Sequence, residues 1–509
     1  LPEHLVFPLE MRGQLVPGEE HAPVPPSMLN RLAGTSPRSP FGKPGCHGRC
    51  WANTNSISGR AIGVLKVDGT SIVACYAADK NEIFGTRSPG DARRSCARVR
   101  RMTNGNGATQ PVVIDPADEG FGLYVHWPFC VLKCPYCDFN SHVGERIDQA
   151  AWRDALLKEL AHFAARVPGR TLTSIFFGGG TPSLMDPATA AEIIAMARKA
   201  WTTTDALEIT LEANPGTVDA ERFTEIRAAG VNRLSMGVQA LNDKDLAFLG
   251  RKHSVAEARA AWTAAAKIFP RVSFDLIYAR PGQALEDWRA ELTEALKEVR
   301  DNNIGHLSLY QLTMEQGTAM AADHAKGAFK LPDDDISADL FALTQELTAA
   351  AGYPAYEISN HARSGEQCRH NLTYWRGGDF VGIGPGAHGR LTLGTIGADG
   401  AVVATRQVKA PGLWLKKVQT EGHGTQAEEP LKDRARTEEL VMMGLRLAEG
   451  LNKARFKRQA GHALLGAIDP AAAARLGTLG FLADSERRII VTPSGRLALN
   501  EVLRQLLAA

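Results

Sequence analysis

The sequence predicts an α/β protein: a partial (β/α)6 barrel followed by a mainly helical carboxyl-terminal domain with a winged-helix-like end. Three observations carry this expectation. Apolar segments from Gly122 onward alternate with amphipathic helical patterns, as in a parallel sheet covered by helices. After about residue 320 the alternation stops and other periodicities take over. Glycine, cysteine and charged motifs fall at the ends of the apolar segments, where a barrel places its chemistry.

In chain order, strands are expected at Gly122–His126, Ser174–Phe177, Leu207–Leu211, Arg233–Val238, Val272–Ile277 and His306–Leu309. Helices between them are expected at Gln149–Arg166, Pro187–Ala200, Ala220–Ala229, Ala256–Ile268 and Leu285–Val299, each with apolar residues at helical spacing. A helix near Ile336–Ala351 precedes a glycine- and aromatic-rich stretch, Tyr353 to Arg390, read as loops. Helices follow near Arg434–Leu447 and Lys453–Ala460. The end reads as a helix from Pro470, a stop at Gly480, a strand pair around Arg488–Thr492, a Pro493-Ser494-Gly495 turn and a final amphipathic helix. The expected divisions are therefore an amino-terminal extension over 1–118, the barrel over 119–320, a substrate-side connecting region over 321–430 and a carboxyl-terminal domain over 431–509.

The chain has 509 residues, 44% hydrophobic and 22% charged, with a formal net charge of +2. That composition excludes a wholly disordered chain, a collagen and a polybasic nucleic-acid binder. No run of about 18 apolar residues occurs, so no membrane span is expected. Residues 1–101 carry 14 basic and 8 acidic side chains amid Pro/Gly/Ser clusters. We expect 1–118 to be disordered or mis-assigned, with Met102 near the natural start; a basic arm for an acidic partner is the alternative. Leu1 to Glu10 lack a basic segment followed by an apolar one, which suggests a cytoplasmic protein.

Eight cysteines are too few for a disulfide scaffold, and three of them, Cys130, Cys134 and Cys137, fall within eight residues just after the first strand. A structural zinc site needs four ligands, which His126 or His142 could complete. An iron–sulfur cubane held by three thiolates leaves one iron open instead. Cys46-x3-Cys50 with His47 imitates a second metal site but offers only two local thiols. The run Gly178-Gly179-Gly180-Thr181-Pro182 ends the second strand, and consecutive glycines let a ligand approach the backbone closely. Glu212 and Gln239 end the third and fourth strands, Arg251 follows, and Asp275 lies on the fifth. Each alone reads as packing or surface. Together they offer hydrogen-bond acceptors for hydroxyls and a guanidinium fork for a carboxylate.

Cys-x3-Cys-x2-Cys in this setting, with the glycine run behind it, resembles the radical S-adenosylmethionine superfamily. The resemblance implies a [4Fe-4S] cluster on Cys130, Cys134 and Cys137 whose open iron chelates the methionine moiety of S-adenosylmethionine. It implies one-electron cleavage of that cofactor to a 5′-deoxyadenosyl radical. It also implies a cofactor-binding set of Tyr124, Tyr136, Gly179, Gly180, Thr181, Glu212, Gln239, Arg251 and Asp275. Within that set Tyr136 lies near adenine, the glycine segment receives the amino group, and Glu212, Gln239 and Asp275 take the ribose.

The segments Tyr124 to Cys130, Phe177 to Ser183, Asn232 to Gln239 and the carboxyl-terminal third resemble the oxygen-independent coproporphyrinogen III oxidase-like group over residues 120–509. One branch of that group is a dehydrogenase that oxidatively decarboxylates coproporphyrinogen III; the other is the HemW-type haem chaperone. Phe139 stands where the dehydrogenase pattern has a fourth cysteine. His370-Asn371-Leu372-Thr373-Tyr374-Trp375 matches the His-Asn-x-x-Tyr-Trp motif of the chaperone branch, so His370, Asn371, Tyr374 and Trp375 become candidate haem residues. A start near Met102 would also remove the long amino-terminal segment of the dehydrogenase.

We therefore expect a haem chaperone, with the dehydrogenase and a zinc-stabilised binding protein as alternatives. The implied partners are haem as cargo, recipient haem proteins including respiratory ones, and an electron donor for the cluster, with no nucleic acid; a homodimer stays open. His370 ranks above His361, Cys368 and His388 as the iron ligand, and a loop-tying role is its structural alternative. Ala279-Arg280-Pro281-Gly282-Gln283 departs from the group's Gly-Leu-Pro-x-Gln, and Arg280 is expected to meet an anionic ligand or solvent.

Overall fold

The computed structural model describes residues 60–67, 70–77, 119–144, 146–394 and 401–508, with backbone alone for the first two spans. Within 34–114, a unit described by itself, Arg60–Val67 pairs antiparallel with Thr70–Ala77. The sequence did not single out that hairpin. The other expectations for residues 1–118, including Cys46, Cys50 and Met102, lie outside the described residues.

Eleven strands form the main sheet. The first six are β1 Phe121–Trp127, β2 Thr171–Gly179, β3 Thr202–Ala213, β4 Arg233–Gln239, β5 Arg271–Tyr278 and β6 His306–Gln311, each parallel to the next. All six lie where the alternation predicted them. The crossovers carry α1 Gln149–Arg166, α2 Pro187–Ala200, α3 Ala220–Ala228, α4 Asp243–Phe248, α5 Val255–Ile268 and α6 Leu285–Asp301. Their starts are chemically marked. Asp148 accepts from Ala151 N at α1, Pro187 opens α2, and Ser254 with Glu257 forms a capping box at α5. The helices bury apolar faces against the outer side of the sheet, where Trp262 stacks on Phe274 at 5.1 Å and Trp288 on Tyr278 at 5.1 Å.

The stretch Tyr353 to Arg390, read as loops, and the connecting residues after it contribute strands. After α7 Asp334–Ala350 come β7 Asn360–Ala362, α8 Arg369–Trp375, β8 Asp379–Ile383, β9 His388–Leu393, β10 Ala401–Gln407, α9 Pro411–Glu421 and β11 Thr425–Pro430. The sheet order is β7-β6-β5-β4-β3-β2-β1-β8-β9-β10-β11. β8 runs parallel to β1, whereas β7, β9, β10 and β11 pair antiparallel with their predecessors in the sheet. These strands are of mixed direction and lack the regular strand–helix alternation of the barrel, so the connecting region hid an extension of the sheet.

α10 Asp433–Gly444, α11 Lys453–Ala460, α12 Pro470–Thr478 and α13 Leu499–Leu506 surround a three-stranded sheet of Leu451–Asn452, Arg488–Val491 and Leu482–Asp484. The expected turn at Pro493 is a single helical turn, Pro493–Arg496, capped by Thr492. This end has its own apolar core, built on Val441, Phe456 and Leu503, and that core takes in Tyr374, Trp375 and Phe380 from α8 and β8. No helix among the described residues is long and apolar enough to cross a membrane.

Candidate functional site

Strand alternation decides which side chains face the barrel interior. Along β1, Phe121, Leu123, Val125 and Trp127 join the main core under the helices, while Tyr124 and His126 point inward. The chain then leaves β1 at Trp127-Pro128 and folds back on itself, pairing Phe129 with His142 and Cys130 with Val143. This closed loop carries Cys130, Cys134 and Cys137, all half-buried and free of disulfides. Cys137 N donates to Cys134 O at 3.1 Å, turning the second and third thiols together.

Polar contacts reach each sulfur. Thr181 Oγ1 donates to Cys130 Sγ at 3.4 Å, Arg251 Nη1 to Cys134 Sγ at 3.4 Å, and Ser141 Oγ lies 3.7 Å from Cys137 Sγ. Burial pushes the Cys137 thiol up to about 11 and raises Cys130 as well. A metal centre would compensate thiolates at Cys130 and Cys137 while displacing their protons.

The glycine run docks on this loop. Gly180 N donates to Trp127 O at 2.7 Å and Thr181 N to Phe129 O at 2.8 Å. A Cβ on Gly180 would meet Phe129 O at 2.7 Å, and Gly179, at φ +110°, would drive one into the His126 ring at 2.5 Å. Glycine is required at both positions by space and, at Gly179, by conformation.

The three cysteines, Tyr136, Gly179, Gly180, Thr181, Glu212, Gln239, Arg251 and Asp275 all line one cavity of about 430 Å³. Gln239 reaches it through a register shift after Gly237 and a left-handed backbone at φ +80°. Gln239 Oε1 and Asp275 Oδ1 are buried without a hydrogen-bond partner among the described residues. Burial pushes the Asp275 carboxyl up to about 6. Unpaired buried acceptors are rare in native interiors, and ribose hydroxyls would satisfy both. The donor set, the glycine cradle and these acceptors fit a cluster with S-adenosylmethionine beside it.

Two members of the expected set are placed differently. Tyr124 does not line the cavity; its hydroxyl lies 2.9 Å from His126 Nδ1 and its ring packs with Phe176 below the site. Arg251 lines the cavity, but one of its nitrogens donates to Asn214 Oδ1 at 2.5 Å and to Gly237 O at 2.6 Å. Its guanidinium is thus braced beside Cys134 rather than held out as an open fork. Asn214, which also donates to Thr181 Oγ1 at 3.1 Å, ties the third strand end to the glycine run and was missed. It lies two residues after Glu212, just past the third strand, and that position was the available signal.

Zinc fares poorly here. His126 is buried, with Nδ1 at Tyr124 and Nε2 3.0 Å from Asn140 O, and burial lowers it to about 4. Among the described residues no three His, Cys, Asp or Glu side chains are placed to hold one ion. A polynuclear cluster, whose thiolates bind different irons, does not require that convergence.

The histidine motif is divided by its own helix. His370 is fully buried, with Ser174 Oγ 2.9 Å from Nδ1 and the Tyr374 hydroxyl on Nε2, and its ring stacks on Phe176 at 5.1 Å. Burial lowers it to about 3. Gly122 admits the ring, since a Cβ there would lie 3.1 Å from it. In this arrangement both ring nitrogens of His370 are engaged by hydroxyl groups. Asn371 and Trp375 instead line a polar chamber of about 40 Å³ that shares Glu212, Ser235, Asp275 and Tyr310 with the main cavity. That is room for water, not for a macrocycle.

His361 and Cys368 are buried too, with His361 Nδ1 3.2 Å from Ser359 O and Cys368 Sγ 3.4 Å from Glu208 Oε1. His388 is likewise buried. Arg280 meets neither ligand nor solvent: it is buried against Glu291 and 2.8 Å from Asp245.

Residues 124–295 match the family model of the Radical SAM superfamily, and residues 431–498 match the HemN C-terminal domain. The fold and the site thus define a radical S-adenosylmethionine protein, which binds a [4Fe-4S] cluster and S-adenosylmethionine. The chain is 39% identical over 391 residues to the haem chaperone HemW of Haemophilus influenzae, covering 75% of this chain and 96% of the relative. It is 37% identical over 392 residues to the haem chaperone HemW of Escherichia coli, covering 76% and 98%. The bovine mitochondrial radical S-adenosyl methionine domain-containing protein 1 is 40% identical over 359 residues, covering 70% and 79%. In fold, the chain is similar to coproporphyrinogen III oxidase of Escherichia coli, a radical SAM enzyme, with a TM-score of 0.61, 24% identity and coverage of 75% and 89%. The chain belongs to the HemW family.

Proposed function

We propose that this protein is a haem chaperone that binds haem and passes it to recipient haem proteins, respiratory ones among them. In this reading Cys130, Cys134 and Cys137 ligate the cluster. Tyr136, Gly179, Gly180, Thr181, Glu212, Gln239, Arg251 and Asp275 hold S-adenosylmethionine. The observation that carries the reading is the alignment with proteins named haem chaperone at 36–39% identity over 95–98% of their length. The loop agrees, since Phe139 occupies the position of a fourth cysteine. The bound pair supplies one-electron chemistry, for which an electron donor is a further partner. A homodimer is compatible with the reading. We place the protein in the cytoplasm, whose reducing interior suits three unpaired thiols.

The second reading is coproporphyrinogen III dehydrogenase, favoured by the shared barrel and by a cavity that gathers the expected cofactor residues other than Tyr124. The test assays the anaerobically reconstituted full chain for haem binding and for coproporphyrinogen III conversion, with S-adenosylmethionine and a reductant present. Stoichiometric haem uptake without decarboxylated product is expected. Decarboxylated product with 5′-deoxyadenosine and no retained haem would replace the chaperone by the enzyme.

A further inference from the structure

His370 is committed to the core, so a chain that carries haem, the reading on which this inference rests, must ligate the iron elsewhere. Seven large apolar side chains are exposed among the described residues, and three of them belong to the cysteine loop and the strand paired with it: Val131 (63%), Leu132 (44%) and Val143 (57%). Leu132 also lines the 430 Å³ cavity. Exposed aliphatic residues gathered at a cavity rim mark a binding surface rather than chance exposure.

The same loop presents an imidazole. His142 is exposed, and its Nε2 lies 3.2 Å from Asn140 Oδ1. The orientation of the Asn140 amide is set by its nitrogen, which donates to Pro385 O and to Lys409 O, each at 2.9 Å. Oδ1 is therefore the acceptor, and His142 carries its proton on Nε2. Nδ1 then holds the ring's lone pair and makes no hydrogen bond among the described residues. An imidazole oriented through its other nitrogen by an amide oxygen has the arrangement of a metal-ligating histidine. Next to it, Lys133 Nζ donates to Ser141 O at 3.3 Å and retains two donors.

We propose that His142 is an axial ligand of haem bound at the outer lip of the cysteine loop, with Val131, Leu132 and Val143 against the macrocycle and Lys133 at a propionate. Haem is the occupant that uses every feature present: a flat apolar plate, an iron that takes imidazole, and carboxylates for a lysine. A protein partner would use the aliphatic residues but has no need of an oriented lone pair.

The experiment titrates ferric haem into the anaerobically reconstituted full chain and follows the Soret band in wild type, His142→Ala, Val131→Asp and His162→Ala. For His142→Ala we expect at least a tenfold rise in Kd and loss of the imidazole-ligated spectrum, restored by added imidazole, with iron and sulfide content unchanged. Val131→Asp, at an exposed position, should weaken haem at least fivefold, and His162→Ala should behave as wild type. Wild-type affinity and spectrum in both His142→Ala and Val131→Asp would overturn this site while leaving the chaperone reading intact. Failure of the wild-type chain to bind haem would sink that reading and the site together.

Discussion

At Cys130, Cys134 and Cys137 the loop joins three half-buried thiols to polar groups of Thr181, Arg251 and Ser141, an environment that favours thiolate once a metal centre is present. Replacing all three by Ala should abolish bound iron and sulfide, measured by metal analysis and visible absorption; full retention would refute the assignment. Gln239 tests the cofactor side. Its Oε1 has no protein partner among the described residues, so Gln239→Leu costs the bound state a hydrogen bond and leaves the cluster in place. S-adenosylmethionine affinity measured by calorimetry should fall about tenfold, near 1–1.5 kcal/mol; an unchanged Kd would contradict the ribose role. Most of this site was legible because its chemistry is local in sequence: a thiol spacing, a glycine run and polar residues at strand ends. Asn214 and the bracing of Arg251 were not, because they depend on side chains from three strand ends meeting in space. The place of Tyr124, outside the cavity lining, was not legible either, because a strand sends alternate residues to opposite faces and to different depths, and motif adjacency carries neither.

At the scale of the element, α8 determines the fate of the histidine motif. Residues 370, 371, 374 and 375 lie one turn apart on a helix, so the aromatic pair Tyr374–Trp375 faces the carboxyl-terminal core while His370 turns to the barrel. In sequence, that spacing reads equally as a ligand cluster or as a packing stripe, and only burial separates them. His370→Ala should therefore destabilise the fold by about 2–5 kcal/mol, seen as a lowered denaturation midpoint, through a cavity and two stranded hydroxyl partners. Haem affinity should be unchanged in the fraction that folds.

The pH dependence has a definite sign. The folded pKa of His370 is lowered by burial from 6.5 to about 3, so its contribution to stability is present above pH 6.5 and is lost as pH falls toward 3. His370→Phe lacks that loss. The stability gap between wild type and this variant should change in the variant's favour by about 1.4 kcal/mol per pH unit below 6.5, measured by denaturant titration. A gap independent of pH would mean that His370 is not buried in its neutral form.

At the scale of the whole molecule, the barrel and the carboxyl-terminal end share buried residues. Tyr374, Trp375 and Phe380 come from the sheet-bearing region and are covered by Val441, Phe456 and Leu503. Removing residues 431–509 would expose that aromatic surface, so the truncated chain should aggregate or lose its cluster, read by sedimentation and iron content. A monodisperse, cluster-bearing truncate would show the two parts to be separable. The six-strand barrel was legible from alternation because each of its strands is buried and followed by a long helix. The sheet's continuation through β8 to β11 was not, since edge-side strands of mixed direction leave no repeat to find. The central claim is that this cluster-bearing barrel carries haem in order to give it away. The most direct measurement mixes the reconstituted, haem-loaded full chain with an apo-haem protein and follows the Soret band of the acceptor. The account predicts that haem leaves this chain and appears on the acceptor in equal amount. Haem that stays bound after the acceptor is in excess, or a chain that never loads it, would contradict the account.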